Sequence, residues 1–269
     1  MTEGMIVLED GIQNEEKIEK EIGILLEISG DGSGAITAVK MSSLSLHVDL
    51  QDEPVVWLGQ SDQSESVPFL DERYESTQPA SVRRRLISMI GMHETSEGVI
   101  SFLSRVLEKA EQASLREEAA FWLGQTNSDR AVKLLLSVAQ NDNSNDVREK
   151  AIFSLSEMDD NKGIESLITL ARSDNNRDVR SKAMFWLGQK ASEKAMATIK
   201  DIVDNDEDTE VQKSALYALT QFPDDGGIDA LINVARTHRN PALRKQAIYL
   251  LGESEDKRAV DVLVDIVRK

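Results

Sequence analysis

Histidines placed next to acidic side chains could bind a metal or carry out acid–base chemistry. Such pairs are rare in this sequence, because it has few histidines. The sequence has three histidines, His47, His93 and His238, and only His93 is followed by a glutamate, Glu94. A protein metal site usually needs three or four ligands brought together. Cysteine is absent, which excludes a thiol nucleophile, a thiolate zinc site and an iron–sulfur cluster. The sequence therefore predicts no metal, no cofactor and no catalytic residues.

The segment from Asp204 to Glu210 alternates acidic residues in the way that a calcium-binding loop does. An EF-hand loop needs glycine at its sixth position and glutamate at its twelfth. Those positions hold Thr209 and Ala215 here. We therefore interpret the segment as a solvated loop.

Arginine recurs at one position of a 32-residue period, where a row of cations could bind anions. A column two residues earlier contains Asp146, Asp178 and Glu210, which favours a ladder of hydrogen bonds and ion pairs between repeats instead. The arginine column consists of Arg83, Arg116, Arg148, Arg180 and Arg244, with Gln212 as the exception. Tryptophan also recurs, at Trp57, Trp122 and Trp186, beside a repeated leucine, which favours packing over a ligand site.

Five segments that begin 32 residues apart share small, aromatic and leucine columns. Their apolar residues have helical spacing, and each is followed by a second helical pattern that begins with Ala or Gly. N-caps are expected at Ser144, Asn176, Asp208 and Asn240 for first helices, and at Ser128, Asp160, Ser192, Asp224 and Asp256 for second helices. Because one helix pair cannot bury its apolar stripe alone, neighbouring pairs must stack.

The N-terminal quarter follows a different pattern. Segments 22–29 and 35–41 flank the turn Gly30–Gly34, residues 43–50 alternate apolar and polar, and 55–58 is a further candidate strand. A short helix over 14–21, or one longer helix that continues from it, is also compatible with the sequence. We predict an acidic, β-rich cap over 1–62 and a solenoid over 63–269. The solenoid consists of a half repeat, 63–78, and six repeats, 79–112, 113–144, 145–176, 177–208, 209–240 and 241–269.

The chain is strongly acidic, with 48 Asp and Glu, 31 Lys and Arg, and a net charge of −17. Such a charge repels nucleic-acid phosphates and anionic lipid head groups. Residues 1–80 carry 17 acidic and 4 basic side chains, whereas residues 81–269 are nearly balanced at 31 and 27. We therefore expect a protein or peptide partner with a basic surface, attracted mainly by the N-terminal end, and neither nucleic acid nor membrane.

The sequence lacks the targeting and spanning patterns that would place it elsewhere than the cytoplasm. No run of residues approaches the roughly 18 apolar residues of a transmembrane helix. The start MTEGMIVLED has no basic region followed by an apolar stretch of signal length. A cytoplasmic location is expected for the sequence as it stands, and a periplasmic one if a signal peptide precedes it.

The repeated Val-Arg, Ala, aromatic and Leu-Gly pattern resembles bacterial HEAT-repeat proteins of the short, bilin-lyase-like subtype. The resemblance covers about 81–269 and includes FWLGQ at Phe121 and Phe185. It implies an all-α fold, a right-handed α-solenoid of stacked helix pairs, that serves as a non-catalytic interaction scaffold. Deoxyhypusine hydroxylases have similar repeats and hold two irons through several His-Glu pairs, which the single pair His93-Glu94 does not supply. A bilin-lyase-like enzyme that handles a small molecule or chromophore is the alternative.

Polar residues follow one face of the second helices at i, i+4 and i+7 spacing. Second helices line the concave side of HEAT solenoids, so the resemblance makes this face the predicted binding groove. Its predicted protein-binding residues are Lys133, Glu165, Arg172, Asp201, Asp229, Asn233, Arg236, Asp261 and Asp265. A homo-oligomer formed through an uncapped C-terminal repeat is a further alternative.

Overall fold

The computed structural model describes residues 22–29, 36–43, 61–190, 192–222 and 225–268. The chain divides into two compact units, Met1–Gly59 and Gln60–Lys269. The sequence pattern placed the corresponding boundary after residue 62.

An antiparallel hairpin makes up the described part of the N-terminal unit. Strand β1, Ile22–Ile28, pairs with β2, Ile36–Ser43, and Leu26 lies opposite Val39. The register shifts at Glu27 and Ile28, as at a β-bulge. Ile36 and Val39 point to the buried side. These two predicted strands are confirmed, and the longer helix that would have continued from 14–21 is wrong because Ile22–Ile28 is a strand. The short helix over 14–21, the turn Gly30–Gly34, the strand over 43–50 apart from its first residue, and the strand over 55–58 lie outside the described residues.

Helices account for nearly all of the described part of the second unit. Helix α1, Gln63–Ser76, is the second helix of the predicted half repeat. The first helices of the six repeats are α2 Ala80–Gly91, α4 Ala113–Gln125, α6 Asn145–Glu157, α8 Arg177–Lys190, α10 Thr209–Leu219 and α12 Pro241–Gly252. The second helices are α3 Glu97–Lys109, α5 Asp129–Asn141, α7 Asp160–Ser173, α9 Glu193–Asn205, α11 Asp225–Thr237 and α13 Lys257–Val267. The predicted fold class, an α-solenoid of helix pairs with a small N-terminal β-structure, is confirmed.

Side-chain caps start most of these helices at the positions that the sequence predicts. Ser144 and Ser128 accept hydrogen bonds from the third residue ahead, and Asn240 caps a helix whose first residue is Pro241. Each such cap stabilises a helix by about 1 kcal/mol. The expected cap at Asp160 is wrong, because α7 already begins there and Asp159, the residue before it, makes no side-chain cap bond. Asp224 lies outside the described residues.

Small residues set the distance between the two helices of a repeat. A Cβ added to Gly163 would lie 2.5 Å from the carbonyl oxygen of Leu155, and one added to Gly227 would lie 2.1 Å from that of Leu219. The start of each second helix therefore abuts the end of its own first helix. Alanine occupies the equivalent position in three other repeats, at Ala131, Ala195 and Ala259, and is completely buried there.

Candidate functional site

All nine predicted binding residues lie on second helices, and all nine side chains are exposed. Lys133 borders a shallow depression of about 290 Å³ between α3 and α5. We call this surface the second-helix face. Its nine predicted residues are accessible to a partner. Whether a partner contacts it remains a prediction.

Ion pairs between neighbouring repeats join most of the charged residues of the second-helix face. Asp201 pairs with Arg172 at 3.3 Å, and Asp265 with Arg236 at 3.5 Å. The further pairs are Glu165 with Lys194, and Asp229 with Arg258 at 3.1 Å. Exposed pairs of this kind contribute at most about 1 kcal/mol to stability. These pairs nevertheless neutralise part of the negative charge of the acidic residues. A basic partner would therefore compete with the protein's own basic side chains for these carboxylates.

The arginine column ties each first helix to the loop that precedes it. Arg116, Arg180 and Arg244 donate through Nη1 to the backbone carbonyl six residues earlier, at 2.8, 2.8 and 2.7 Å. Gln212, the exception, donates instead to the Val203 carbonyl at 2.9 Å and is buried. The predicted structural role of the arginine column, hydrogen bonding between repeats, is therefore confirmed.

The acids that complete the ladder are different from the ones that the sequence suggested. Arg116 binds both carboxylate oxygens of Asp142, at 2.8 and 2.9 Å, in the loop that leads into the next repeat. Arg180 binds Asp206 in the same way. The sequence suggested Asp146, Asp178 and Glu210 as the partners. These three residues are exposed, and they lie about one helical turn after the loop acids in the chain.

Removal of the Asp142 carboxylate charge tests the ladder. Burial raises the pKa of Asp142, but hydrogen bonds from Arg116 and from the Ser144 N–H outweigh it and leave this pKa below its usual value. Asp142→Asn should therefore lower the free energy of unfolding by about 1–3 kcal/mol at pH 7, since it leaves a mostly buried Arg116 without its counterion. The measurement is urea denaturation followed by circular dichroism.

The pH dependence gives the same prediction a second readout. A lowered folded-state pKa contributes stability above the unfolded value of about 4, and this contribution disappears as the pH falls through the folded value. The difference between wild type and Asp142→Asn should therefore shrink in acid. Glu111→Gln, which removes one charge from an exposed position nearby, should have a small effect at either pH. Equal effects of the two variants would contradict the role of the ion pair.

A groove of about 720 Å³ crosses the first helices α6, α8, α10 and α12. We call it the first-helix groove. Lys182 and Glu149 form an ion pair across it at 3.0 Å, and Lys213 pairs with Glu210 at 2.7 Å. In all, three acidic and three basic side chains line the groove, so its charge is balanced.

Two members of the repeated aromatic column, Phe185 and Tyr217, line this groove. The column consists of Phe121, Phe153, Phe185, Tyr217 and Tyr249. The three phenylalanines are half-buried, whereas Tyr217 is 50% and Tyr249 60% exposed. The two tyrosines therefore differ from the three phenylalanines, because half or more of each tyrosine is exposed. The change from Phe to Tyr within the column was the available signal, because a phenol hydroxyl favours contact with water or a partner.

A family model described as HEAT repeats matches residues 100–188 and 196–269 of the sequence. These ranges contain eight of the thirteen helices given above completely and three more in part, and they cover more than half of the chain. The chain belongs to the HEAT-repeat family. No curated protein sequence matches it significantly.

Solved structures of other HEAT-like proteins are similar to this HEAT-repeat chain at low identity. Human deoxyhypusine hydroxylase is 18% identical, with 76% of this chain and 90% of that chain covered and a TM-score of 0.37. The CpcE–CpcF complex of phycocyanin lyase from Nostoc is 20% identical, with 75% and 80% covered and a TM-score of 0.42. A karyopherin bound to the extreme C-terminus of a protein phosphatase is 14% identical, with 69% and 23% covered and a TM-score of 0.42.

The histidine and acidic residues that were candidates for metal binding make structural contacts within the HEAT repeats. His93 lies between α2 and α3, with Nδ1 2.8 Å from the Met89 carbonyl and Nε2 2.6 Å from the Ser66 hydroxyl on α1. In the acidic loop after α9, Asp206 binds Arg180 and Asp208 caps α10. Across the residues that the structure describes, no cluster of three or more His, Asp or Glu could hold a metal ion. Within the same residues, no helix is long and apolar enough to cross a membrane.

The tryptophans of the HEAT repeats pack between neighbouring first helices, as predicted. The Trp122 ring covers Gly91 so closely that an added Cβ would lie 2.3 Å from it. Trp186 contacts Phe153 of the preceding repeat, with ring centroids 5.1 Å apart. Both tryptophans are half-buried. Trp57 lies outside the described residues.

Proposed function

We propose that this HEAT-repeat protein is a non-catalytic scaffold that binds a protein or peptide partner. The observation that carries the proposal is the first-helix groove, which spans four successive repeats and leaves the Tyr217 ring half exposed. Extended surfaces built from the same position of successive repeats are the usual binding sites of solenoid proteins. Exposed tyrosines in such a groove are typical of interface residues with large binding energies.

We propose that the second-helix face is a second contact surface, for a partner with a basic surface, and that the acidic N-terminal segment attracts the same kind of partner independently. Its support is the regular row of exposed acids, including Asp201, Asp229 and Asp261. Complementary charge mainly increases the rate of association and selects against wrong partners. The two surfaces thus favour different chemistry in a partner, apolar at the groove and basic at the second-helix face.

Site-specific photo-crosslinking in cells tests the scaffold function and locates the surface in use. A photoreactive amino acid in place of Tyr217 reports the first-helix groove, and one in place of Asn233 reports the second-helix face. Asn143, in an exposed loop between repeats, is the control position. We expect discrete crosslinked proteins from the first or second position that are absent from the control. Identical products at all three positions, or none at either face, would reject the scaffold.

A charge-reversal variant tests the second-helix face alone. Changing Asp201, Asp229 and Asp261 together to lysine should abolish the crosslink at position 233, because like charges then meet the basic partner. The matched control reverses the same number of charges at three exposed acids elsewhere, Glu111, Glu207 and Glu255. Loss of the crosslink in both variants would mean that only net charge matters, and loss in neither would reject this surface.

The alternative function, a bilin-lyase-like enzyme that handles a chromophore, predicts a different result. A linear tetrapyrrole added to the purified protein should then raise the thermal unfolding midpoint in a saturable way. The scaffold predicts no such shift.

A further inference from the structure

The aromatic column places one ring on each successive first helix, from Phe121 on α4 to Tyr249 on α12. Phe185 and Tyr217 line the groove directly, and Tyr249 lies one turn beyond Gln246, which closes its end. Phe153 continues the column in the other direction, but the Lys150 ammonium lies over its ring at 5.2 Å. Phe185, Tyr217 and Tyr249 are therefore the three rings most open to a ligand.

The packing of Trp186 limits the distance between two rings of the column. Its ring centroid is 5.1 Å from that of Phe153 on α6 and 5.1 Å from that of Phe185 on its own helix, so Phe153 and Phe185 lie at most about 10 Å apart. For the rings further along the column, the general separation of packed helices applies, about 8–10 Å between axes. Equivalent rings on neighbouring first helices are therefore expected to recur at about this interval.

A polyproline II helix has nearly the same period. It has three residues per turn and rises about 3.1 Å per residue, so every third side chain recurs on one face at about 9 Å. We propose that the first-helix groove binds a proline-rich segment of a partner, with a proline or other apolar residue at every third position and one turn of the ligand per repeat. This proposal rests on the scaffold function above and specifies the chemistry of the ligand.

The polar groups of the groove suit such a ligand. A polyproline II segment has no internal hydrogen bonds, and its prolines lack an N–H, so it mainly presents carbonyl oxygens that need donors. Hydroxyl and amide donors line the groove at Ser181 and Gln246, whereas the Ser214 hydroxyl already donates to the Glu210 carbonyl. The acidic side chains that would otherwise repel carbonyls are engaged, as Glu149 is with Lys182.

The balanced charge of the groove further restricts the ligand. Each of the two ion pairs described above lies within the protein, so neither sign of charge is in excess at the groove floor. A segment with uncharged residues between its prolines should therefore bind best. This differs from the basic partner expected for the second-helix face.

Fluorescence anisotropy with synthetic peptides and the full-length protein tests the proposal. The probe is a labelled peptide of about nine residues with proline at every third position and uncharged spacers, which covers three turns. The affinity should rise at least tenfold from a two-turn to a three-turn peptide. A peptide of the same composition with its prolines moved out of the three-residue period should bind at least tenfold more weakly than the periodic one.

Two variants connect the binding to the column. Tyr217→Ala should weaken binding of the three-turn peptide about tenfold or more, as loss of a central interface tyrosine does. Phe69→Ala removes a similarly exposed ring from α1, away from the groove, and should leave the affinity unchanged. Thermal unfolding midpoints of both variants close to that of the wild type would show that folding is not the cause.

The outcomes separate this proposal from the scaffold function. Equal affinity for the periodic and rearranged peptides, or equal effects of the two variants, would overturn the proline-rich ligand. If no proline-rich peptide binds while a crosslink at position 217 persists, the groove binds a partner of other chemistry, and the scaffold function stands. Absence of both would overturn both.

Discussion

Leu187→Ala is expected to lower the free energy of unfolding by about 2–5 kcal/mol, the range found for buried leucine truncations. Leu187 is completely buried on α8. It belongs to the leucine column that recurs every 32 residues, at Leu123, Leu155, Leu187, Leu219 and Leu251, and every member of this column is at most 1% exposed. The cost includes both the lost transfer of apolar surface and the cavity that the surrounding helices leave unfilled. Urea denaturation followed by circular dichroism measures it.

Val260→Ala is the matched control for this prediction, because it also shortens an aliphatic side chain on a helix. Val260 on α13 is 55% exposed, so its truncation should change the free energy of unfolding by no more than about 0.5 kcal/mol. A midpoint shift near zero for Leu187→Ala would mean that the leucine column does not form the core.

The repeat architecture predicts where the damage from Leu187→Ala appears. Each repeat of a solenoid contacts its immediate neighbours, and stability is the sum of repeat and interface terms. Amide hydrogen exchange should therefore accelerate most in α6, α8 and α10. Exchange in α3 should change little, because α3 lies two repeats before α6 in the chain. Uniform acceleration throughout the helices would instead indicate that the stack unfolds as a single cooperative unit.

The helices were predictable from the sequence because the buried alanine and leucine columns occupy the same environment in each of five repeats. Ala119 and Ala183 are both completely buried, and one periodic pattern sufficed to indicate this. The cap at Asp160 was wrong because the loop before α7 places Asp159 at the helix boundary. A shift of one residue of this kind depends on loop geometry, which periodicity does not encode.

The candidate sites were less predictable, because they depend on how far one repeat is rotated and translated relative to the next. Polar spacing on the second helices correctly indicated exposure. The pairs found there join residues 29 positions apart, such as Arg172 with Asp201, which a 32-residue alignment does not bring together. The first-helix groove arises in the same way, from the approach of four helices. Within the sequence itself, its signal was the change from Phe185 to Tyr217.

Gly188→Ala is expected to cost about 1–3 kcal/mol although it adds a single methyl group, as overpacking of a tight contact does. A Cβ at this position would lie 2.6 Å from the Ala218 carbonyl oxygen on α10 and 3.2 Å from the Gln221 Cβ. Because the nearest atom belongs to the backbone of a neighbouring helix, the clash cannot be relieved by a change of rotamer. The two first helices must move apart instead, and the same denaturation experiment measures the cost.

Gly252→Ala gives the opposite expectation at the equivalent position of another repeat. An added Cβ there meets no atom within 4 Å, so alanine should leave stability unchanged or raise it by up to about 1 kcal/mol through its greater helix propensity. Gly124→Ala, with its Cβ 2.9 Å from the Ser154 carbonyl oxygen, should also be destabilising, though less than Gly188→Ala. This order would show that glycine is needed where a following first helix packs against it. Similar costs at all three positions would instead mean that glycine is required to end the helix.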